Sequence, residues 1–297
     1  MVLLDDDVTA INNALQNWRQ GDATLDAGLE FLHLADLSRP HSHTSQQTSD
    51  NLVEMGEVVA AGTIPLLEEV PGLVMLSQTC DVVRDCRERP FAEVAPLVQV
   101  SAEELEFVRR MKRPAFAYVP SLAEHRLIAD LDRVMTVEKA IVAGWARVPG
   151  WKHDEEQRVF ALALSRKRSR FAFPDDFVAA ASALQARLIA KHHRQSDEGA
   201  HLRVLREIRV RAAPSWDDEE VQLSWWFIKD ADPPDVETVI WSDLADKWLG
   251  LFDKAGRFRL DPPTVCRLED MTARDYIESD HLDLDRLSTG NDAPASE

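Results

Sequence analysis

The 297-residue chain is short of most features that would announce a function. Three cysteines, Cys80, Cys86 and Cys266, are too few for a disulfide framework and predict a reducing compartment. Eleven glycines leave phosphate-cradling loops poorly supplied, and no GxGxxG, GxxxxGKS/T, GxSxG or DxDxDG occurs. Rossmann dehydrogenases, P-loop NTPases and kinases are thereby disfavoured. No apolar run approaches the roughly 18 residues of a membrane helix, and the opening MVLLDDDVTA carries acids where a secretory leader carries bases. A soluble, cytoplasmic protein is expected. Cys80 and Cys86 are spaced more widely than the paired ligands of structural zinc, and no H-x3-H or HExxH spacing accompanies His41, His43, His192 or His193. No metal and no cofactor is expected.

Acid is what the chain does have. Its net charge of −18 argues against non-specific binding to nucleic acid or anionic membranes. The charge is uneven: 5 bases face 16 acids over residues 1–100, 21 face 15 over 101–212, and 8 face 21 over 213–297. A basic middle between acidic flanks either contacts a polyanion or pairs with the chain's own acids.

The pattern predicts an α+β protein in four parts: helices and a polar loop over 1–56, a β-rich domain over 57–150, a helix-plus-hairpin domain over 151–287, and a frayed tail over 288–297. Leu4, Val8, Ile11, Leu15 and Trp18 recur at helical spacing. Residues 25–37 read as a second helix and the polar run 38–51 as a loop. Strands are expected over 58–64, 72–77, 91–100, 116–119, 126–131 and 134–142. Ser101 with Glu104 forms a capping-box signature. Further helices are expected over 152–171, 174–205 and 241–252, with a hairpin of 207–212 and 221–228, a short strand at 258–260 and a helix capped by Thr272. Leu282, Leu284 and Leu287 suggest a C-terminal clip.

Polar residues just beyond a buried strand are held by the strand and exposed by the loop. Ser77, Gln78, Cys80 and Asp81 occupy that place after the apolar run 72–76. One reading makes Cys80 a nucleophile, a histidine its base, and Asp81 or Gln78 the group that orients or stabilises charge; the other packs the cysteine as a small hydrophobe. Arg166, Lys167, Arg168 and Arg170, with Arg84 and Arg89, could hold RNA phosphates or form a solvated basic face. The tryptophans Trp216, Trp225, Trp226, Trp241 and Trp248 lie among acids, which favours core packing over base stacking.

Residues 57–150 resemble the MazF/PemK-type toxin barrel. The resemblance lies in LVMLS (73–77), EVAPL (93–97) and DLDRVMTVEK (130–139) before Gly144. It implies an SH3-like β-barrel and, in active members, a metal-independent endoribonuclease. The segment Ser77–Asp81 (SQTCD) and the ending MTARDYIESD (271–280) are similar to those of uncharacterised bacterial proteins associated with mobile elements and phage defence. The expectation drawn is a bacterial accessory protein that binds a protein partner, with a cysteine-dependent hydrolase or a ribonuclease as alternatives.

Overall fold

The computed structural model describes residues 3–169, 171–192, 194–230 and 241–282. It is mixed α and β, and the chain divides into two compact units, Met1–Arg168 and Ser169–Glu297. No helix among the described residues is long and apolar enough to cross a membrane.

The first unit begins with α1 (Asp5–Leu15), whose three leading aspartates sit at the positive end of the helix dipole. Strand β1 (Ala23–Thr24) follows, and where residues 25–37 predict a helix the chain forms strand β2 (Glu30–Ala35). Gly28 explains the difference: its φ of +72° breaks a helix, and beyond it buried Phe31 alternates with exposed neighbours at the period of a strand. The polar run expected as a loop is instead α2 (His43–Glu54). The Ser42 hydroxyl caps it by accepting the Ser45 N–H at 3.1 Å, and two small serines, Ser45 and Ser49, form its buried side. Strand β3 (Ile64–Glu69) starts six residues later than predicted and pairs antiparallel with β2, placing Phe31 opposite Glu68 and Leu32 opposite Leu67.

After β4 (Leu73–Met75) comes the one-turn helix α3 (Thr79–Val82), then the long strand β5 (Phe91–Gln99). Helix α4 (Ala102–Arg109) has the Ser101 half of the predicted capping box, its Oγ accepting the Glu104 N–H at 3.1 Å. Strands β6 (Phe116–Tyr118), β7 (Leu127–Asp130) and β8 (Met135–Glu138) then lead into α5 (Lys139–Val142) and α6 (Asp154–Arg168). The main sheet runs β1-β4-β5-β7-β6, with β8 also pairing β5. It does not close into the barrel that the resemblance implies. Strand β1 has only two residues and ends the sheet in an isolated bridge to Val148, and α4 and α6 lie against β6.

The second unit replaces the single helix expected over 174–205 with α7 (Asp175–His192) and α8 (Asp197–Val204), the latter capped by Ser196. Strands β9 (Leu205–Ala213) and β10 (Val221–Lys229) form the predicted hairpin, Trp225 opposite Val210. Helix α9 (Trp241–Leu249), β11 (Phe258–Leu260), β12 (Thr264–Arg267), α10 (Ala273–Glu278) and β13 (Asp280–Leu282) complete it. Buried Leu282 docks β13 on β9, and Leu284 and Leu287 lie outside the described residues. The core of this unit is aromatic: Phe177, Trp225, Phe227, Trp248 and Phe258 are all essentially buried.

Candidate functional site

The Ser77–Asp81 segment leaves buried β4 and is fixed mainly by its backbone. Ser77 Oγ accepts the Glu93 N–H at 2.8 Å, and Glu93 O accepts the N–H groups of Leu76 and Ser77. Gln20 tethers the other side: its N–H donates to Thr79 Oγ1 at 3.1 Å and its side-chain amide to Leu76 O at 2.8 Å. Beyond α3, Asn12 bridges the loop to α1, donating to the Asp85 carboxylate and accepting the Cys86 N–H. The Arg87 N–H and the Asn12 amide hold the Asp85 carboxyl below its ordinary pKa.

Under this loop lies Lys139, 1% exposed, which the sequence reading did not single out. Its ammonium donates to Asp81 O and Arg84 O, both at 2.7 Å, at the end of α3. Burial pushes the Lys139 pKa below the usual lysine value, opposed by the charges of Cys86, Asp81 and Asp85. The lysine therefore closes the loop from below as a cation on carbonyl oxygens. Apolar residues nearby, Val137 two positions before it and Ala140, Ile141 and Val142 after it, are the sequence signal it leaves.

The candidate catalytic residues take different positions. Cys80 is exposed, and its thiol lies 3.6 Å from Gln78 Oε1. An amide oxygen cannot take a proton, and among the described residues no histidine hydrogen-bonds to Cys80. Nucleophilic catalysis needs a base within hydrogen-bond reach. The loop thus presents a thiol and an amide, with Ser77 engaged in holding Glu93 and Asp81 contributing its carbonyl to Lys139. Cys86 and Cys266 are buried, and burial pushes the Cys266 thiol up.

Three of the candidate phosphate-binding residues are engaged by the chain's own oxygens. Arg166 donates to Met111 O, Lys167 pairs with Asp132, and Arg168 pairs with Glu93 at 2.9 Å. Arg84 and Arg89 are exposed on the 77–90 loop, and Arg170 lies outside the described residues. Nearby, Arg109 and Arg110 both bind Glu106, whose carboxyl these guanidiniums hold down to about 2, and Arg113 pairs with Glu104. Most of the basic middle within the first unit is answered by the chain's own oxygens.

A different surface stands out on the β2–β3 ribbon. Its inner face carries Phe31 and Leu66, both buried, with Arg133 reaching Glu68 at 2.8 Å and lying 5.5 Å over the Phe31 ring. Thr44 of α2 also donates to Glu68. The outer face carries Leu32, Leu34 and Leu67, which are 47%, 70% and 57% exposed. Leu32 stands directly opposite Leu67 and Leu34 opposite Pro65, with Glu30 and Glu69 paired at the end of the ribbon. Cross-strand partners of this kind form a continuous apolar strip. Reading 25–37 as a helix hid it, because β2 carries apolar side chains on both faces. No protein-family model and no curated protein sequence matches the chain.

Proposed function

We propose that the chain is a binding module that docks a cationic protein partner, anchored by the outer face of the β2–β3 ribbon. The observation that carries this reading is the strip of Leu32, Leu34 and Leu67, left in solvent although each residue is large and apolar. Glu30 and Glu69 border it within a chain of net charge −18, so a partner bearing lysine or arginine around an apolar anchor is complementary. An accessory role of this kind also suits the resemblance to mobile-element and phage-defence proteins. The enzymatic alternatives lack a comparable observation: Cys80 has no basic partner among the described residues, and Arg166, Lys167 and Arg168 are already engaged.

The test places a photo-crosslinking amino acid at Leu34 in the full chain, inside the cell that naturally makes it. A discrete adduct with a basic protein is expected, lost on Leu67→Asp and kept on Cys80→Ala. Absence of an adduct, an adduct only with a second copy of the chain, or indifference to Leu67→Asp would overturn the proposal.

A further inference from the structure

A groove of about 680 Å³ opens in the first unit between the end of β3, the far end of β5 and the corner that leads into β7. That volume is in the range, about 300–1,000 Å³, of pockets that hold ligands. Its wall includes the end of the β5 edge at Gln99, which no strand covers among the described residues. Strand β5 pairs with β4 only from Val94 to Pro96, and one further bond takes the Leu97 N–H to Gly72 O at 2.9 Å. On its other edge β5 continues along β7 as far as Gln99, opposite Leu127. Alternation along a strand puts the N–H and C=O of Gln99 on the same edge as those of Leu97, past the end of β4.

The sequence explains why β4 reaches no further. Pro71 has no N–H to donate to a ladder. Gly72 is where the backbones crowd: a Cβ there would lie 2.6 Å from Thr24 O and 2.8 Å from Leu97 Cδ1. The chain turns away at Pro71 and leaves the β5 edge facing the groove. Buried Val70, Leu97 and Leu127 supply apolar walls. On the rim, Arg133 is answered by Glu68 and Asp130. Glu69 and Glu124 are exposed and have no ion pair among the described residues, against one unpaired arginine, Arg126. The rim is net acidic.

We infer that this groove takes an extended peptide segment with alternating apolar and basic side chains, added as a strand to the β5 edge at Gln99. The inference rests on the reading of the chain as a binding module and names what the partner would present. Main-chain bonds to an open edge supply affinity without regard to sequence, while pockets and charges select the side chains. Glu69 belongs both to the outer ribbon face and to the groove, so one partner segment can pass from one to the other.

The experiment titrates the full chain with a capped peptide of about seven residues alternating lysine and valine, with a glutamate–valine peptide as comparator, at about 50 mM salt. Amide NMR reads the Gln99 N–H and fluorescence anisotropy reads affinity. The expected result is saturable binding with a shift at Gln99, at least about tenfold tighter for the lysine peptide. Methylating the central valine nitrogen, and separately the double change Glu69→Lys with Glu124→Lys, should each weaken it by about tenfold. No saturation up to about 1 mM peptide, equal binding of the glutamate peptide, or an unmoved Gln99 amide would overturn the inference. A Leu34 adduct without peptide binding would remove only the groove assignment; peptide binding at Gln99 without a Leu34 adduct would remove only the ribbon anchor.

Discussion

In the N-terminal unit one strand, β5, serves β4, β7 and β8, and buried polar groups hold the connections; in the C-terminal unit β9 and β10 pair at eight positions over aromatic rings. Lys139 on two carbonyls typifies the first. Asp22 does too: it is buried, accepts the N–H groups of Arg19 and Gly150, and pairs with Arg147 at 2.6 Å. Phe177 typifies the second, with Phe173, Trp216, Trp225, Phe252 and Phe258 all within 6 Å between ring centroids. Apolar packing is non-directional and tolerates a repeated strand pattern. Directional bonds fix individual loops, and so allow a surface to be shaped for something other than the core. The β2–β3 ribbon face and the groove beside β5 both lie in the first of these units, the one held by directional bonds.

The contrast can be broken most severely at Trp248, which is buried against Phe227 and donates to Glu198 at 3.1 Å. Burial alone would raise the Glu198 pKa, but its bonds to Arg187 and Trp248 more than offset that and lower it. Trp248→Ala should cost about 3–5 kcal/mol by cavity formation and accelerate amide exchange across β9 and β10. Unchanged exchange there would refute the aromatic core as the source of that unit's stability.

Lys139→Met sharpens the comparison from the other side. It leaves Asp81 O and Arg84 O without their donor, at a cost of about 1–3 kcal/mol, and should loosen residues 77–90 while sparing β9 and β10. The pH dependence has a definite sign. Because the folded-state pKa lies below the ordinary lysine value of 10.5, the unfolded chain binds more protons between the two, and stability attributable to Lys139 rises with pH across that window. Denaturation midpoints measured from neutral pH upward should show this rise in the wild type relative to Lys139→Met; parallel curves would mean the lysine is not buried as a cation. Smallest of all, Leu34→Ser should change stability by no more than about 0.5 kcal/mol, checked by urea unfolding. A loss above that would show that the ribbon face is part of the fold.

What could be read from the sequence was local. The Ser101 N-cap and the β9–β10 hairpin depend on residues a few positions apart, and each has the predicted form. The open sheet was not legible, because the barrel was inferred from short segments whose pairing depends on distant strands. Gly28 redirected residues 25–37 through a single backbone angle, and α2 rests on a serine cap within a run whose composition suggests a loop. Cys80 was visible as a cysteine after a strand, yet its missing base could be judged only in three dimensions. Lys139 was hidden for the same reason: the carbonyls it serves lie 58 and 55 residues earlier in the chain.

The shared strand β5 also bears on how each unit forms from the unfolded chain. Phe91 meets Glu138, 47 positions on, whereas Ala213 meets Gln222 across nine. Closing the longer loop costs about 1.5 kcal/mol more entropy on a flexible-chain scale, before a single cross-strand bond repays it. The β9–β10 ladder can be seeded by neighbours in the chain. The β5–β8 ladder cannot, and until it forms the stretch of β5 from Phe91 to Val94 stands open along that side, in search of a strand to pair with.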